Sequence, residues 1–360
     1  MSTFADSQQQ ARPLIHRNDN EDDAWALVLA AGEGSRLKAL TMTPTGAHVP
    51  KQFCSLIGGP SLLDEALARA ESVVPRRRIC AIVAAQHRRW WERLPDRLPT
   101  SNVIVQPENR GTANGILLGL TRIAERDRNA RVVLLPSDHH VEHEPTLADS
   151  LRGAVAHLRL RTREVLLLGI QAAEPDPELG YILPGDRFPL GVFDIAKFVE
   201  KPAAPVATKL IESGALWNSF IVAGTASTLL RLLRQRFPEI VDAMRDAVRR
   251  DRHRPNSPIA TASLYACLPN LDFSRDVLSN AVAPALRVLA VPECGWSDLG
   301  NPTRIAATLR RSRTARSLGS SAFGKRAQIS LAARLEAVRS AHATRRERAL
   351  GRTSGRSAPR

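Results

Sequence analysis

With 360 residues, of which 43% are hydrophobic, the chain is long enough to bury a large core, which excludes the small scaffolds that need disulfides or metals to fold. The four cysteines stand far apart and form no Cys-x-x-Cys pair, so neither a zinc ribbon nor a disulfide framework is indicated. The net charge of +15 is concentrated in residues 303–360, where fifteen Lys or Arg stand against two acids, so the body of the protein is nearly neutral.

The two ends of the chain differ from its middle in composition. Residues 1–23 are polar, become acidic at their end and contain no apolar run that could serve as a signal sequence. No segment reaches the roughly 18 uninterrupted apolar residues that a membrane-spanning helix needs. We therefore predict a soluble cytoplasmic protein without membrane contact, made of a disordered arm over 1–23, one domain over 24–312 and a basic, disordered tail over 313–360.

Short runs rich in Val, Ile and Leu alternate along the chain with longer segments of helical periodicity. This pattern is typical of buried parallel strands joined by crossover helices, and it predicts an α/β doubly wound sheet covered on both faces. The predicted strands span residues 25–31, 79–85, 102–106, 131–136, 165–170 and 286–291. The predicted helices span residues 61–73, 111–125, 146–160, 225–237 and 238–250.

The pattern changes over residues 180–222. Short strand-like pieces alternate there with Pro and Gly residues. We predict an insertion that carries substrate contacts, because loops on a rigid scaffold commonly hold functional residues.

The first predicted strand runs directly into a small-residue turn, AAGEGSRL at residues 30–37. Gly32 and Gly34 let backbone N–H groups approach an anion, and Arg36 can offer a planar set of donors to phosphate. The turn lacks the third glycine of a dinucleotide fingerprint and the Gly-Lys-Ser/Thr of a Walker loop. It predicts a triphosphate-binding turn, although an ordinary strand-to-helix connection can contain the same glycines.

A second cation follows in the sequence PKQF at residues 50–53. The glycine turn, Arg36 and Lys51 in this order resemble the sugar-nucleotide pyrophosphorylases, and most closely the mannose-1-phosphate guanylyltransferases, in which LAGGxGTRL is followed by PKQF. An ordered set of motifs is specific where any single motif is not. The resemblance continues over about three quarters of the chain through ENRGTA at 108–113, PSDH at 136–139, GYI at 180–182, FVEKP at 198–202, LWNS at 216–219 and WSDLG at 296–300.

The resemblance implies a fold and a reaction. The fold is the Rossmann-like, doubly wound mixed sheet of the nucleotide-diphospho-sugar transferases, with a small substrate-binding insertion. The reaction joins a nucleoside triphosphate, GTP in the first place, to a sugar 1-phosphate, mannose 1-phosphate in the first place, and releases pyrophosphate. A pyrophosphorylase for a different base or sugar is the nearest alternative.

Asp138 and Asp298 are the candidate metal ligands. Asp138 follows a buried strand, where the loops of an open α/β sheet meet a ligand, but a helix N-cap is the competing interpretation. Asp298 lies in WSDLG, where an Asx turn competes. Two carboxylates brought together would bind Mg²⁺ and leave positions for phosphate oxygens and water, and the resemblance assigns both residues to this cofactor.

The resemblance also assigns roles to the remaining site residues. Because a sugar 1-phosphate is already an anionic nucleophile, the reaction needs positioning and charge neutralisation more than a general base. Arg36 and Lys51 would stabilise the transferring phosphoryl group and the departing pyrophosphate, and Lys201 would hold the sugar phosphate. The nucleotide would contact Ala30, Gly32, Gly34, Ser35, Gly111 and Thr112, and the sugar would contact Gly180, Glu200 and Asn218.

Some residues depart from the family pattern or suggest other chemistry. Ala31 stands at a glycine position, and Phe220 replaces the glycine that usually follows Trp-Asn-Ser, which leaves the sugar identity open. His139 and His143 have the i, i+4 spacing of a zinc pair, but no clear third ligand accompanies them. Loop histidines near the metal aspartate are the favoured interpretation.

Three competing functions remain at this level. A nucleotide-sugar sensor or regulatory subunit would keep the pocket without turnover, and another nucleotidyl or glycosyl transferase of related fold would keep the nucleotide motifs. The basic tail predicts nonspecific, salt-sensitive contact with polyanions, although it has no recognisable nucleic-acid recognition module. The oligomeric state stays open, with a homodimer among the expected forms.

Overall fold

The computed structural model describes residues 24–43, 45–253, 258–281 and 286–317, with the backbone alone for 313–317. The predicted arm over residues 1–23 and the predicted tail beyond residue 317 lie outside the described residues. The predicted domain boundary at residue 312 falls inside a helix that runs to Ser317.

A mixed β-sheet runs through the described part of the chain. Its strands are β1 (Ala24–Ala30), β2 (Ile79–Ala84), β3 (Val103–Gln106), β4 (Arg131–Pro136), β5 (Val165–Gln171), β6 (Gly180–Arg187), β7 (Val192–Glu200), β8 (Leu216–Thr225) and β9 (Leu286–Val291). They are arranged in the order β3-β2-β1-β4-β8-β5-β9-β7-β6. The first four strands of this order are mutually parallel, and β5 is parallel to β9. Strand β8 runs antiparallel to β4, β5 and β6, and β6 and β7 form an antiparallel hairpin at the end of this order.

Helices cover both faces of this sheet. They are α1 (Leu62–Glu71), α2 (Arg88–Trp91), α3 (Thr112–Arg126), α4 (Glu144–Leu160), α5 (Ala204–Glu212), α6 (Ala226–Arg236), α7 (Pro238–Arg250), α8 (Ile259–Cys267) and α9 (Pro302–Ser317). On β1, Val28 belongs to the core that includes α1 and α4, whereas Leu27 belongs to the core that includes α3, α6 and α7. Successive strand residues are thus buried on opposite faces, which explains the unbroken apolar runs in the sequence. Of the helices in the described ranges, none combines the length and the apolar character needed to cross a bilayer.

Local sequence signals place the helix starts. Ser61 and Asp64 form a capping box, in which the Ser61 hydroxyl accepts from Asp64 N–H and the Asp64 carboxylate accepts from Ser61 N–H, both at 3.2 Å. Gly111 precedes α3 with φ near +84°, and a Cβ there would collide with the carbonyl oxygen of Leu271. The residue before α3 therefore has to be glycine.

The predicted strands and helices are all present, with ends that differ by at most two residues. Residues 180–222 differ from the prediction, because β6, β7 and β8 replace the expected short pieces. Pro184 and Gly185 do not end β6, since the β6–β7 pairing shifts its register at these residues and tolerates the missing donor. Helices α2, α5, α8 and α9 are absent from the prediction. The first three are short, and arginines interrupt the apolar pattern of the last.

A small third core attaches the last helix to the segment that follows β1. Ile305 and Leu309 of α9 are buried in one cluster with Leu37 and Leu299. The C-terminal part of the domain therefore packs next to the glycine turn.

Candidate active site

A cavity of about 450 Å³ opens where β1 and β4 end. Its position follows from the topology, since the carboxyl ends of neighbouring parallel strands meet at one edge of the sheet. Of the fourteen predicted site residues, ten line this cavity: Gly32, Gly34, Arg36, Gly111, Thr112, Asp138, Gly180, Glu200, Asn218 and Asp298. Four are not among the lining residues: Ala30, Ser35, Lys51 and Lys201. The functional role of each residue stays a prediction.

The PKQF segment at residues 50–53 packs against the glycine turn and hydrogen-bonds to its backbone. Gly34 has φ near +61°, and a Cβ there would lie 2.8 Å from Lys51 N and 2.9 Å from Lys51 Cβ. Gln52 Nε2 donates hydrogen bonds to the carbonyl oxygens of Ala30 at 3.0 Å and Gly32 at 2.9 Å. The conformation of the turn thus requires a glycine at position 34 and is held by hydrogen bonds from the PKQF segment.

Arg36 lies at the open side of this turn. It belongs to the 3-10 turn Ser35–Leu37, and its side chain is 55% exposed. Its Nη1 atom lies 3.1 Å from Oε1 of Glu178, a residue before β6 that also lines the cavity. The predicted phosphate-binding guanidinium therefore has a carboxylate partner.

The candidate metal ligands are brought together by two contacts. His140 follows Asp138 by two residues, and Ser297 directly precedes Asp298. The backbones of His140 and Ser297 exchange N–H···O hydrogen bonds of 2.9 Å in both directions. The buried ammonium of Lys51 lies 3.1 Å from Asp138 Oδ2 and also donates to the carbonyl oxygen of Asp298. Lys51 is therefore directed at the aspartates rather than at the cavity.

The electrostatics of the site keep both aspartates ionised. Burial alone would raise the pKa of Asp138, but the charge and the hydrogen bond of Lys51 oppose it and help to hold that pKa below its ordinary value. Burial would likewise raise the pKa of Asp298, yet the hydrogen bond from Arg304 and the neighbouring cations lower it. Both carboxylates are therefore anionic at neutral pH and suited to a cation.

Arg304 is a site residue that the sequence analysis missed. There it appears only as one of the fifteen basic residues of 303–360. Its side chain is 12% exposed, and its guanidinium pairs with Asp176 at 2.6 Å, with Glu178 at 3.0 Å and with the carboxylate of Asp298. A signal was present in the sequence, because Asn301 followed by Pro302 is typical of a helix start. Asn301 Oδ1 indeed accepts from Arg304 N–H at 3.0 Å, which places Arg304 in the first turn of α9.

Each aspartate leaves one carboxylate oxygen for a cation. Asp298 Oδ1 accepts from Arg304 and from Gly300 N–H at 3.0 Å, and Asp138 Oδ2 accepts from Lys51. Among the described residues, no other residue donates a hydrogen bond to Asp298 Oδ2 or Asp138 Oδ1, and His139 Nε2 lies 3.6 Å from Asp138 Oδ1. The described ranges contain no cluster of three His, Cys, Asp or Glu that could hold a metal. A cation between these two oxygens would need substrate oxygens and water to complete its coordination, as Mg²⁺ commonly does.

The start of α3 lines another part of the cavity with Gly111 and Thr112. The Thr112 hydroxyl accepts from Phe273 N–H at 2.8 Å, and Ala113 N–H donates to the carbonyl oxygen of Leu271 at 3.0 Å. These bonds attach the amino end of α3 to residues 270–273. The predicted base-binding residues therefore lie on a fixed helix start.

The three predicted sugar-binding residues converge on one another. Gly180 is paired with Glu200 across β6 and β7, and a Cβ at Gly180 would lie 2.6 Å from Glu200 Oε2 and 3.3 Å from Asn218 Cβ. Burial raises the pKa of Glu200, although the charge of Lys201 opposes this. Lys201 Nζ lies 3.8 Å from Glu200 Oε1, and its side chain is 58% exposed.

Phe220 keeps the backbone conformation expected of the glycine that it replaces. Its φ is near +60°, and its N–H donates to Asn218 Oδ1 at 3.1 Å. A non-glycine residue in this conformation costs about 1–2 kcal/mol. The Phe220 ring lies 6.2 Å from the ring of Phe273 and lines the cavity, so this departure changes the cavity wall.

The neighbouring histidines have separate environments. The ring of His139 packs edge-to-face on Trp296 at 5.2 Å, and His140 Nδ1 lies 3.2 Å from Glu65 Oε2. His143 is exposed. Within the described residues, these side chains belong to no group of three or more His, Cys, Asp or Glu that could hold a metal.

Comparison with known proteins places this arrangement among nucleotidyl transferases. The model of the nucleotidyl transferase family matches residues 25–312. Alginate biosynthesis protein AlgA of Pseudomonas fluorescens is 28% identical over 281 residues, 76% of this chain and 56% of AlgA. Mannose-1-phosphate guanylyltransferase ManC of Salmonella typhimurium is 28% identical over 291 residues, 77% of this chain and 58% of ManC. The chain thus spans little more than half the length of these curated relatives.

A solved structure has a similar fold. A protein from Thermus thermophilus, described as mannose-1-phosphate geranyltransferase, superposes with a TM-score of 0.62 and 27% identity, over 78% of this chain and 77% of that one. The predicted fold class, a Rossmann-like mixed sheet of the nucleotide-diphospho-sugar transferase type, is therefore confirmed.

Proposed function

Because this chain belongs to the nucleotidyl transferase family, we propose that it joins a nucleoside triphosphate to a sugar 1-phosphate and releases pyrophosphate. One observation carries the proposal. Asp138 and Asp298 come from distant parts of the sequence, line one cavity and contact the same ammonium group of Lys51. The glycine turn and the sugar-end residues line that cavity too, so both substrates would meet beside the two carboxylates.

The finer proposal is that GTP and mannose 1-phosphate are the substrates. ManC is a mannose-1-phosphate guanylyltransferase by name, and the Thermus protein also has mannose 1-phosphate in its name. Phe220 is the chain's own departure at the sugar end. A panel of sugar 1-phosphates therefore belongs in the test.

The reaction would proceed by charge neutralisation and positioning. An oxygen of the sugar 1-phosphate attacks the α-phosphorus while the bond to the departing pyrophosphate breaks, and the bond electrons leave with the bridging oxygen. Arg36 would bind the departing phosphates, and Lys201 would hold the incoming sugar phosphate. Lys51 would keep Asp138 ionised and fixed relative to Asp298.

We propose Mg²⁺ as the cofactor, held by the available oxygens of Asp138 and Asp298. Two carboxylate oxygens completed by phosphate oxygens and water are a common environment for this ion. When bound, the divalent cation neutralises negative charge on the phosphates. The chain's own residues supply the anionic pair and its orientation.

The proposal is tested by incubating the full chain with Mg²⁺, GTP and mannose 1-phosphate and measuring pyrophosphate release. We expect Asp138→Asn and Asp298→Asn to lower turnover at least about 100-fold, since each removes a charged ligand. Asp149→Asn is the control, because Asp149 is 76% exposed on α4 and pairs only with Arg152 among the described residues. Its turnover should match that of the unaltered chain.

A thermal-shift panel separates catalysis from binding. A nucleotide that binds only the folded chain raises its melting temperature. If nucleotide sugars stabilise the chain while no pair of triphosphate and sugar 1-phosphate releases pyrophosphate, the chain is a sensor and the proposed reaction is wrong. Equal turnover in Asp298→Asn and Asp149→Asn would also contradict it.

A further inference from the structure

Glu178 is held by donors from distant parts of the chain. Its Oε1 atom lies 3.1 Å from Nη1 of Arg36 in the glycine turn. Its Oε2 atom accepts from Asn301 Nδ2 at 2.8 Å and from Arg304 Nη2 at 3.0 Å. One carboxylate therefore links the segment after β1 to the start of α9.

The position of Glu178 is fixed from the buried side. Arg304 is itself anchored by Asp176 and Asp298, whose side chains are 14% and 11% exposed. Burial alone would raise the pKa of Glu178, but the hydrogen bond from Asn301 and the charge of Arg36 hold it below its ordinary value. Glu178 is therefore an anion at neutral pH, held with one oxygen on Arg36.

An anion at this place opposes the binding of phosphates. Glu178 lines the cavity and is 38% exposed. A carboxylate there repels a triphosphate and occupies donors of Arg36 that a phosphate would use. A triphosphate that reaches Arg36 therefore competes with Glu178 for donors of this guanidinium.

We propose that Glu178 is a built-in competitor for the nucleotide phosphates: its carboxylate and the triphosphate compete for the guanidinium of Arg36. The inference rests on the proposed function, in which Arg36 contacts the triphosphate. Glu178 sets how tightly the nucleotide is held before reaction, because Arg304 and Asn301 keep its carboxylate beside Arg36. Weaker ground-state binding favours turnover once substrate exceeds its KM.

The test measures GTP binding to the full chain by calorimetry without metal, then KM and kcat with Mg²⁺. Glu178→Gln removes the charge but keeps the size of the side chain and an oxygen that can accept from Asn301. We expect it to tighten GTP binding about fivefold, equivalent to about 1 kcal/mol, and to lower KM for GTP without raising kcat. Glu174→Gln is the matched control, since Glu174 is exposed on the same segment, and it should leave the dissociation constant of GTP unchanged.

A double-mutant cycle shows whether the effect acts through Arg36. In an Arg36→Gln background, the gain from Glu178→Gln should fall well below about fivefold, because the donors that Glu178 occupies are gone and only the direct repulsion between carboxylate and phosphates remains. Weaker or unchanged GTP binding in Glu178→Gln, or the same gain in the Arg36→Gln background, would overturn the inference and leave the proposed function standing. If the unaltered chain binds none of GTP, ATP, CTP and UTP, the proposed function itself fails.

Discussion

Replacing Arg304 by methionine should strongly destabilise the domain. The Arg304 side chain is 12% exposed, and its guanidinium contacts three carboxylates, those of Asp176, Glu178 and Asp298. Methionine fills much of the space of the aliphatic stem but removes the cation. The variant therefore leaves the acidic partners in place without their shared positive charge.

The magnitude follows from the burial of these partners. Removing one member of a buried ion pair costs about 3–5 kcal/mol, because the remaining charge is uncompensated. Glu178 keeps Arg36 and Asn301, and Asp298 keeps the N–H of Gly300, so the lower end of this range applies. We expect the free energy of unfolding to fall by about 3 kcal/mol and the melting temperature to fall by about 6–12 °C.

Urea unfolding at neutral pH, followed by tryptophan fluorescence and repeated by calorimetry, measures this change. Arg311→Met is the matched control on the same helix, since Arg311 is exposed and its Nη2 atom lies 3.4 Å from Thr308 Oγ1. The control should change the free energy of unfolding by less than about 0.5 kcal/mol. A loss below about 1 kcal/mol in Arg304→Met, or equal losses in the two variants, would refute the argument from buried charge.

Three further expectations concern the turn, a buried acid and the tail. Gly34→Ala should lower the free energy of unfolding by about 1–3 kcal/mol, because φ is near +61° and Lys51 N would lie 2.8 Å from the new Cβ. Gly32→Ala, with nothing within 4 Å of its new Cβ, should change it by less than about 0.5 kcal/mol, and equal losses in urea unfolding would contradict this geometry. Burial would raise the pKa of Asp251, but hydrogen bonds from Thr261 N–H and Ala260 N–H hold this pKa below the ordinary 3.8. The ionised Asp251 therefore stabilises the folded chain above pH 3.8. This stabilisation disappears as the pH falls through the pKa of the folded state. Asp251→Asn should therefore cost about 1–2 kcal/mol at pH 7 and almost nothing under strongly acidic conditions, and a pH-independent difference in unfolding free energy would show the reasoning wrong. A chain that ends at Ser317 should keep pyrophosphate release and lose salt-sensitive retention on heparin, whereas loss of turnover would place the tail within the catalytic domain.

Most strands of the sheet and the glycine turn could be predicted from the sequence because their signals are local. Strands such as β2 and β4 are buried on both faces, so each appears as an uninterrupted apolar run. The left-handed backbone at Gly34 favours glycine, so the identity of this one residue indicates the turn. These signals are local, because burial and backbone conformation act on consecutive residues.

The amino-acid sequence by itself determined the six predicted strands, the five predicted helices and the glycine turn, and the family resemblance grouped the two aspartates into one predicted site. Only the tertiary structure decided that Lys51 contacts both aspartates, that Glu178 holds Arg36, and that Arg304 belongs to the site rather than to a basic tail. An ion pair depends on the distance between segments that are remote along the chain, and neither periodicity nor composition contains that distance. The antiparallel direction of β8 could not be predicted from local sequence either, because its place between β4 and β5 is set by packing across the whole sheet.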